Sequence, residues 1–166
     1  MYDRILVPVD GSATSTKGLD EAIELAKLTG ASIRLVHVVD QLAFAAGFET
    51  YTGDLIGMLR EGGAKILEEA RTRVATRGIA VSTFLCETFA TRVCDLVVEQ
   101  AKEWKAGLIV IGSHGRRGMS RLFLGSDAEL VVRMAPVPVL LVRAPTELAA
   151  RVDGSPEARR ESVVLS

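Results

Sequence analysis

Aromatic side chains are scarce in this chain: five Phe, two Tyr and one Trp make up 5% of its 166 residues. Nucleic-acid binding draws on a basic stripe with interleaved aromatics, and the charges supply no excess to build one. Twenty Lys and Arg stand against 21 Asp and Glu, a formal net charge of -1. That balance calls for no nucleic acid as a partner. Cysteine is nearly absent. Cys86 and Cys94 are separated by seven residues, which fits no metal or redox spacing, so they read as reduced, partly buried thiols. Long apolar runs are missing as well: none approaches the ~18 residues that span a bilayer. The opening MYDRILVPVDGS sets Asp3 and Asp10 around a short apolar run and is not built like a signal peptide. The expectation is a soluble chain in a reducing compartment, the cytoplasm, with no membrane and no nucleic-acid partner.

What is present is ordinary globular material, 48% hydrophobic and 25% charged, in a length that suits one domain with a sizeable core. Five short apolar runs stand out: Arg4 to Val9, Ser32 to Val39, Val81 to Cys86, Leu108 to Gly112 and Val137 to Val142. Continuous runs of Val, Ile and Leu fit strands buried on both faces, as in a parallel sheet. Helical spacing lies between them. Leu19, Ala22, Ile23 and Ala26 mark a first helix, with Gly30 as its stop. Leu55, Leu59, Ile66, Leu67, Ala70 and Val74 mark a second, weakened by Gly62-Gly63 and followed by Gly78. Ala90, Val93, Val97 and Ala101 mark a third, ending near Trp104, a residue expected to pack into the core. Ala128, Val131, Val132 and Ala135 mark a fourth, stopped by Pro136.

Strict alternation of strand and helix predicts parallel strands joined by crossovers. Five of them predict an open doubly wound α/β sheet with helices on both faces. Pro138 falls inside the last run and cannot donate to a ladder, which predicts an edge strand. An exposed edge of Val137, Val139 and Leu141 invites pairing with another chain, so a homodimer through Val137 to Val142 is expected. The connection from Gln41 to Gly53 is long for such a fold; it reads either as a lid or as a packed surface loop. Residues 145–166 carry mixed charge with Pro145, Gly154 and Pro156 and read as a mostly disordered tail.

The segment that carries chemistry runs from Gly112 to Ala128, GSHGRRGMSRLFLGSDA. It starts at the carboxyl end of the fourth strand, where open α/β sheets bind ligands. Gly112 and Gly115 let the backbone approach a ligand and adopt positive φ. Gly125 and Ser126 stand where a helix begins, so amide N–H groups and the positive end of its dipole face an anion. Ser113 and Ser126 add hydroxyls. Arg116, Arg117 and Arg121 either raise the potential for a polyphosphate or are solvated loop charges. His114 lies inside the loop without a carboxylate at local spacing to orient it. His37, inside a strand, reads as a satisfied core residue. The loop is neither a P-loop, having no GKS or GKT, nor a GxGxxG fingerprint.

With those residues in view, the segment resembles the universal stress protein signature: glycine, two residues, glycine, nine residues, then glycine with serine or threonine. Gly112, Gly115, Gly125 and Ser126 match at every position. RILVPVDGS resembles that family's opening strand and acidic turn, SIRLVHVV its second strand and APVPVLLVR its last. The resemblance covers residues 1–144, taken as one universal stress protein domain. It implies a Rossmann-like sheet of the adenine nucleotide alpha hydrolase-like type, strand order 3-2-1-4-5, and membership of the ATP-binding branch.

It also implies a site. Pro8, Val9 and Asp10 would line the adenine side, and Val39 would hold the base. Ile111, Gly112, Ser113, His114 and Gly115 would pass beneath ribose and phosphates, and Gly125, Ser126, Asp127 and Ala128 would meet the phosphate tail. Asp127 departs from the uncharged residue many members have there; it is a favourable acid in a first helical turn or a ligand to a metal on the phosphates. The implied cofactor is ATP, with AMP or ADP as alternatives and Mg2+ carried by the phosphates. The implied role is a nucleotide-dependent regulator of stress response acting on a further protein partner, with slow hydrolysis at most. The alternatives are a slow ATPase or nucleotidyl-transfer enzyme, disfavoured because the glycine loop has no lysine, and a nucleotide-free dimeric scaffold.

Overall fold

A computed structural model describes residues 2–41, 53–89, 91–113 and 124–143, with backbone alone for 53–55. Outside them lie most of the candidate lid, Ala90, residues 114–123 of the glycine loop and the tail from 144. The strands are β1 (Arg4–Pro8), β2 (Ser32–Asp40), β3 (Val81–Thr88), β4 (Leu108–Gly112) and β5 (Val139–Val142). The helices are α1 (Ala13–Thr29), α2 (Gly53–Ala75), α3 (Val93–Glu103) and α4 (Ser126–Met134). All neighbouring strands are parallel, in the order β3-β2-β1-β4-β5. The open doubly wound sheet read from the sequence is the fold of this chain.

Alternation along each strand sorts the core into two layers. Ile5, Val7 and Val9 of the β1 segment, Ile33 and Leu35 of β2 and Val110 of β4 pack with Leu19 and Ile23 of α1 and Leu67 and Val74 of α2. Leu6, Val36, Ile109 and Ile111 face the other way, onto Cys94, Val97 and Ala101 of α3 and Ala128 and Val131 of α4. So α1 leaves β1 over one face and α4 leaves β4 over the opposite face. Because β1 and β4 are sheet neighbours, the chain departs from them in opposite directions and opens the crevice of a topological switch point.

Several sequence expectations need correction. Val9 lies just past β1, while β2 and β3 each run further than the apolar runs suggested. Pro138 precedes β5 rather than sitting in it, and its carbonyl accepts the Ile109 N–H at 3.0 Å. The strand is at the edge as expected, and the proline starts it instead of interrupting it. Val132, counted on the apolar stripe of α4, is 48% exposed. The third helix begins at Val93. Trp104 is only partly buried against the α3/α4 layer, where the Arg34 guanidinium stacks 4.9 Å from its ring centre.

Gly62 and Gly63 do not break α2, which runs through both. A Cβ on Gly62 would meet nothing within 4 Å, whereas one on Gly63 would stand 2.7 Å from His37 Cδ2 and 3.0 Å from Leu85 Cδ1. Adjacent glycines therefore have opposite reasons to be glycine. Gly62→Ala is expected to stabilise by about 0.5–1 kcal/mol through helix propensity. Gly63→Ala is expected to destabilise by about 1–2 kcal/mol, because overpacking exceeds that gain. Urea unfolding of the pair checks the opposite signs.

Candidate functional site

The turn after β1 is built by its own side chains. The Val9 N–H donates to the Val36 carbonyl at 2.8 Å, the last backbone bond described between this segment and β2. Asp10, half-buried, accepts the Ser12 N–H on Oδ1 at 2.9 Å. The Asp10 N–H donates to Ser15 Oγ at 3.2 Å. Gly11 between them sits at φ +79°, a left-handed conformation that glycine adopts without strain. Ser12 is the N-cap of α1, accepting the Ser15 N–H at 3.2 Å, and Thr14 lies inside the helix. Ser12 caps the helix, while one oxygen of Asp10 shapes the turn before it.

The tip of β4 is pressed against that same turn. A Cβ on Gly112 would lie 2.8 Å from the Thr14 carbonyl carbon, 2.9 Å from its oxygen and 3.0 Å from Ser15 N. Gly18, one helical turn on, faces the same spot, with the Gly112 nitrogen 3.4 Å from where its Cβ would be. Gly112 is thus a glycine because α1 packs on it. It is not among the described glycines with positive φ, which are Gly11, Gly30 and Gly78. The expectation of left-handed backbone at Gly112 is corrected accordingly. A glycine inside a helix, such as Gly18, costs about 1 kcal/mol; that cost hints at a close approach, but the partner, Gly112, is visible only in the fold.

Ser113 then locks the ends of the glycine loop together. Its N–H donates to the Val142 carbonyl of β5 at 2.7 Å, and its own carbonyl accepts the Gly125 N–H at 2.9 Å. Ser113 is 2% exposed, so it serves as an internal latch. Gly125 is the N-cap of α4 at φ -61° and ψ 142°, and as a glycine it has no side chain with which to cap the first turn. Ser126 and Asp127 on that turn are exposed, and Ala128 is buried against the α3/α4 layer. First-turn amides of a helix have no intrahelical acceptor, so this end takes its acceptors from outside the helix, and its dipole favours negative charge there.

The structure therefore brings Asp10, Gly112, Ser113 and Gly125 to the carboxyl ends of β1 and β4. Pro8 closes β1, Ile111 precedes Gly112 in the α3/α4 layer, and Val39 stands on β2 three residues past Val36, the partner of Pro8. His114 and Gly115 lie outside the described residues, as do Arg116, Arg117 and Arg121.

Cys94 opens α3 under α4, fully buried. Burial foremost, then the neighbouring Asp95 carboxylate, pushes its thiol pKa up. Cys86 is also raised by burial but is partly exposed. Alkylation of the native protein at pH 8 is expected to modify Cys94 on the order of 100-fold more slowly than in urea, since only local opening exposes it. Cys86 should react first, as peptide mapping would show.

A family model described as the universal stress protein family matches residues 1–143. The chain is 34% identical over 146 residues to universal stress protein MJ0531 of Methanocaldococcus jannaschii, covering 87% of this chain and 84% of that one. Among solved structures, a universal stress protein family member from Burkholderia pseudomallei matches with TM-score 0.70 at 36% identity, covering 86% and 97%. The universal stress protein from Archaeoglobus fulgidus in complex with dAMP matches with TM-score 0.62 at 27% identity, covering 85% and 98%.

Proposed function

The chain belongs to the universal stress protein family, and from that premise we propose that it binds an adenine nucleotide, ATP foremost, in the crevice between β1 and β4. One observation carries the reading. The Gly125 N–H bond to the Ser113 carbonyl holds the start of α4, whose N-cap is a glycine, at the tip of β4, beside the Asp10 turn. A helix N-terminus fixed by such a latch, with a glycine as its N-cap, is suited to meet an anion. The universal stress protein from Archaeoglobus fulgidus has a structure in complex with dAMP, which supports an adenine ligand.

In this assignment Pro8, Val9, Asp10 and Val39 form the base side. Ile111, Gly112, Ser113, His114 and Gly115 underlie the sugar and phosphates, and Gly125, Ser126, Asp127 and Ala128 receive the phosphate tail. Magnesium would arrive with the phosphates, with Asp10 and Asp127 as the acids of the set. Nucleotide occupancy would set the protein's affinity for a regulatory partner in stress response, in the cytoplasm, where the free thiols of Cys86 and Cys94 stay reduced. Hydrolysis is slow in this reading; steady-state turnover reaching about 1 s⁻¹, a low enzyme rate, would make the protein an enzyme instead. The edge strand β5 with Leu140 exposed would pair two copies, and a strict monomer in sedimentation at high concentration would remove that part.

The direct test is mass spectrometry of small molecules retained by the purified protein, followed by equilibrium dialysis with labelled ATP. Retention of adenine nucleotide and its loss in Gly115→Val are expected. Undiminished retention in that variant would remove Gly115 from the site.

A further inference from the structure

We propose that His37 is a positioning residue for the nucleotide crevice, fixing the Val9 carbonyl so that the Asp10 turn keeps its shape. The inference rests on the nucleotide-binding reading above and adds to it a residue outside the assigned contacts. His37 lies on β2 and is 6% exposed. Its Nδ1 is 2.7 Å from the Val9 carbonyl oxygen. A carbonyl only accepts, so Nδ1 carries the proton and donates.

The place of this bond matters. Backbone pairing between the β1 segment and β2 reaches its last described bond at Val9 N–H to Val36. The next carbonyl along, that of Val9 itself, is met by the imidazole. Immediately beyond it the chain turns through Asp10 and Gly11 into α1. A side chain thus extends the hold of β2 on β1 by one group, up to the residue that begins the crevice wall.

The ring is held from the far side by α2. A Cβ on Gly63 would stand 2.7 Å from His37 Cδ2 and 3.1 Å from Nε2, so the helix backbone lies against the imidazole edge. Ile66, one turn further along α2, reaches the turn directly: its Cδ1 is 3.4 Å from where a Cβ on Gly11 would be. The imidazole is wedged between α2 and the Val9 carbonyl, and it cannot rotate away without moving one of them. A plain core histidine would need a partner; this one has as its partner the carbonyl that precedes the acidic turn.

The test uses ATP as probe and the full chain in three forms: wild type, His37→Leu and His37→Asn. Asparagine keeps an N–H near the position of Nδ1, and leucine fills space without a donor. Stability is followed by urea unfolding and the fold by amide spectra. ATP affinity is expected to fall about tenfold in His37→Leu, the size of one such hydrogen bond, and to recover largely in His37→Asn. In wild type, the imidazole ¹⁵N spectrum is expected to show Nδ1 protonated and its resonance to shift on saturation with ATP. A merely structural histidine would lower stability in both variants and leave that resonance unmoved. Wild-type affinity in a folded His37→Leu, or an unmoved Nδ1 resonance, would overturn the proposal while leaving nucleotide binding intact. Absence of ATP binding by wild type would overturn both. Should His37→Leu fail to fold, the asparagine variant and the wild-type Nδ1 resonance decide.

Discussion

Gly112→Val is expected to lower the unfolding free energy by about 3 kcal/mol, the upper range for overpacking, and to abolish measurable ATP binding. The atoms a new Cβ would meet are the Thr14 carbonyl and the Ser15 nitrogen, at 2.8–3.0 Å. They are backbone, so no side-chain rotation relieves the clash. Either α1 shifts outward or the tip of β4 does. The first movement opens the Asp10 turn, whose bonds to Ser12 and Ser15 tie it to the start of α1. The second strains the latch from Ser113 to Val142 and Gly125. Both walls of the crevice depend on this one contact. A graded series separates the effects: Gly18→Ala meets the Gly112 nitrogen only at 3.4 Å, so it should be far milder than Gly112→Ala, and Gly112→Val worst. Urea unfolding and ATP titration of the three should give that order in both quantities.

The second large effect is expected at the centre of the sheet. Leu6 and Ile109 are register partners on β1 and β4, both 0% exposed, on the face covered by α3 and α4. Leu6→Ala and Ile109→Ala should each cost about 2–5 kcal/mol, from lost transfer energy and the cavity left behind. Domains of this size are stable by only about 5–15 kcal/mol, so each change consumes a large share. A fall in Tm of roughly 4–20 °C follows at about 2–4 °C per kcal/mol. Because the two side chains are neighbours, the double variant should depart from additivity by at least about 0.5 kcal/mol. Calorimetry of the four proteins in the cycle measures this directly.

Much of the architecture was legible because its signals are local. Runs such as LIVIG at Leu108–Gly112 fit strands buried on both faces, and that strand has the predicted bounds. Gly30 stops α1 in the left-handed conformation that a terminal glycine suggests. His37 read as a satisfied core residue and is one, although nothing in the sequence said its partner would be the Val9 carbonyl. Proline at 138 pointed to an edge, and β5 is at the edge. The strand order itself came from resemblance, since periodicity does not encode which parallel strands pair.

The site was less legible, because its glycines answer to packing as well as to ligand. Gly112 invited a reading in terms of backbone freedom, yet its missing Cβ makes room for α1. Gly63 looked like a weakness in α2 and is a fit to His37. Gly18 and Ser15 drew no notice in the sequence: one is a small residue inside a helix, the other one hydroxyl among many. Their meaning depends on which helix lies on which strand end, and that is a tertiary fact. Val132 misled in the opposite sense. Helical spacing put it on the apolar stripe, but α4 presents it to the surface, so one apolar residue at the margin of a short helix carries little weight.

Amide spectra of the ¹⁵N-labelled chain titrated with ATP bear most directly on the latch and the start of α4. The expected result is saturable shifts concentrated at Gly11, Ser12, Gly112, Ser113, Gly125 and Ser126, with the α2 to β3 connection unmoved. Shifts confined to other parts of the molecule, or a spectrum indifferent to ATP at millimolar concentration, would contradict it.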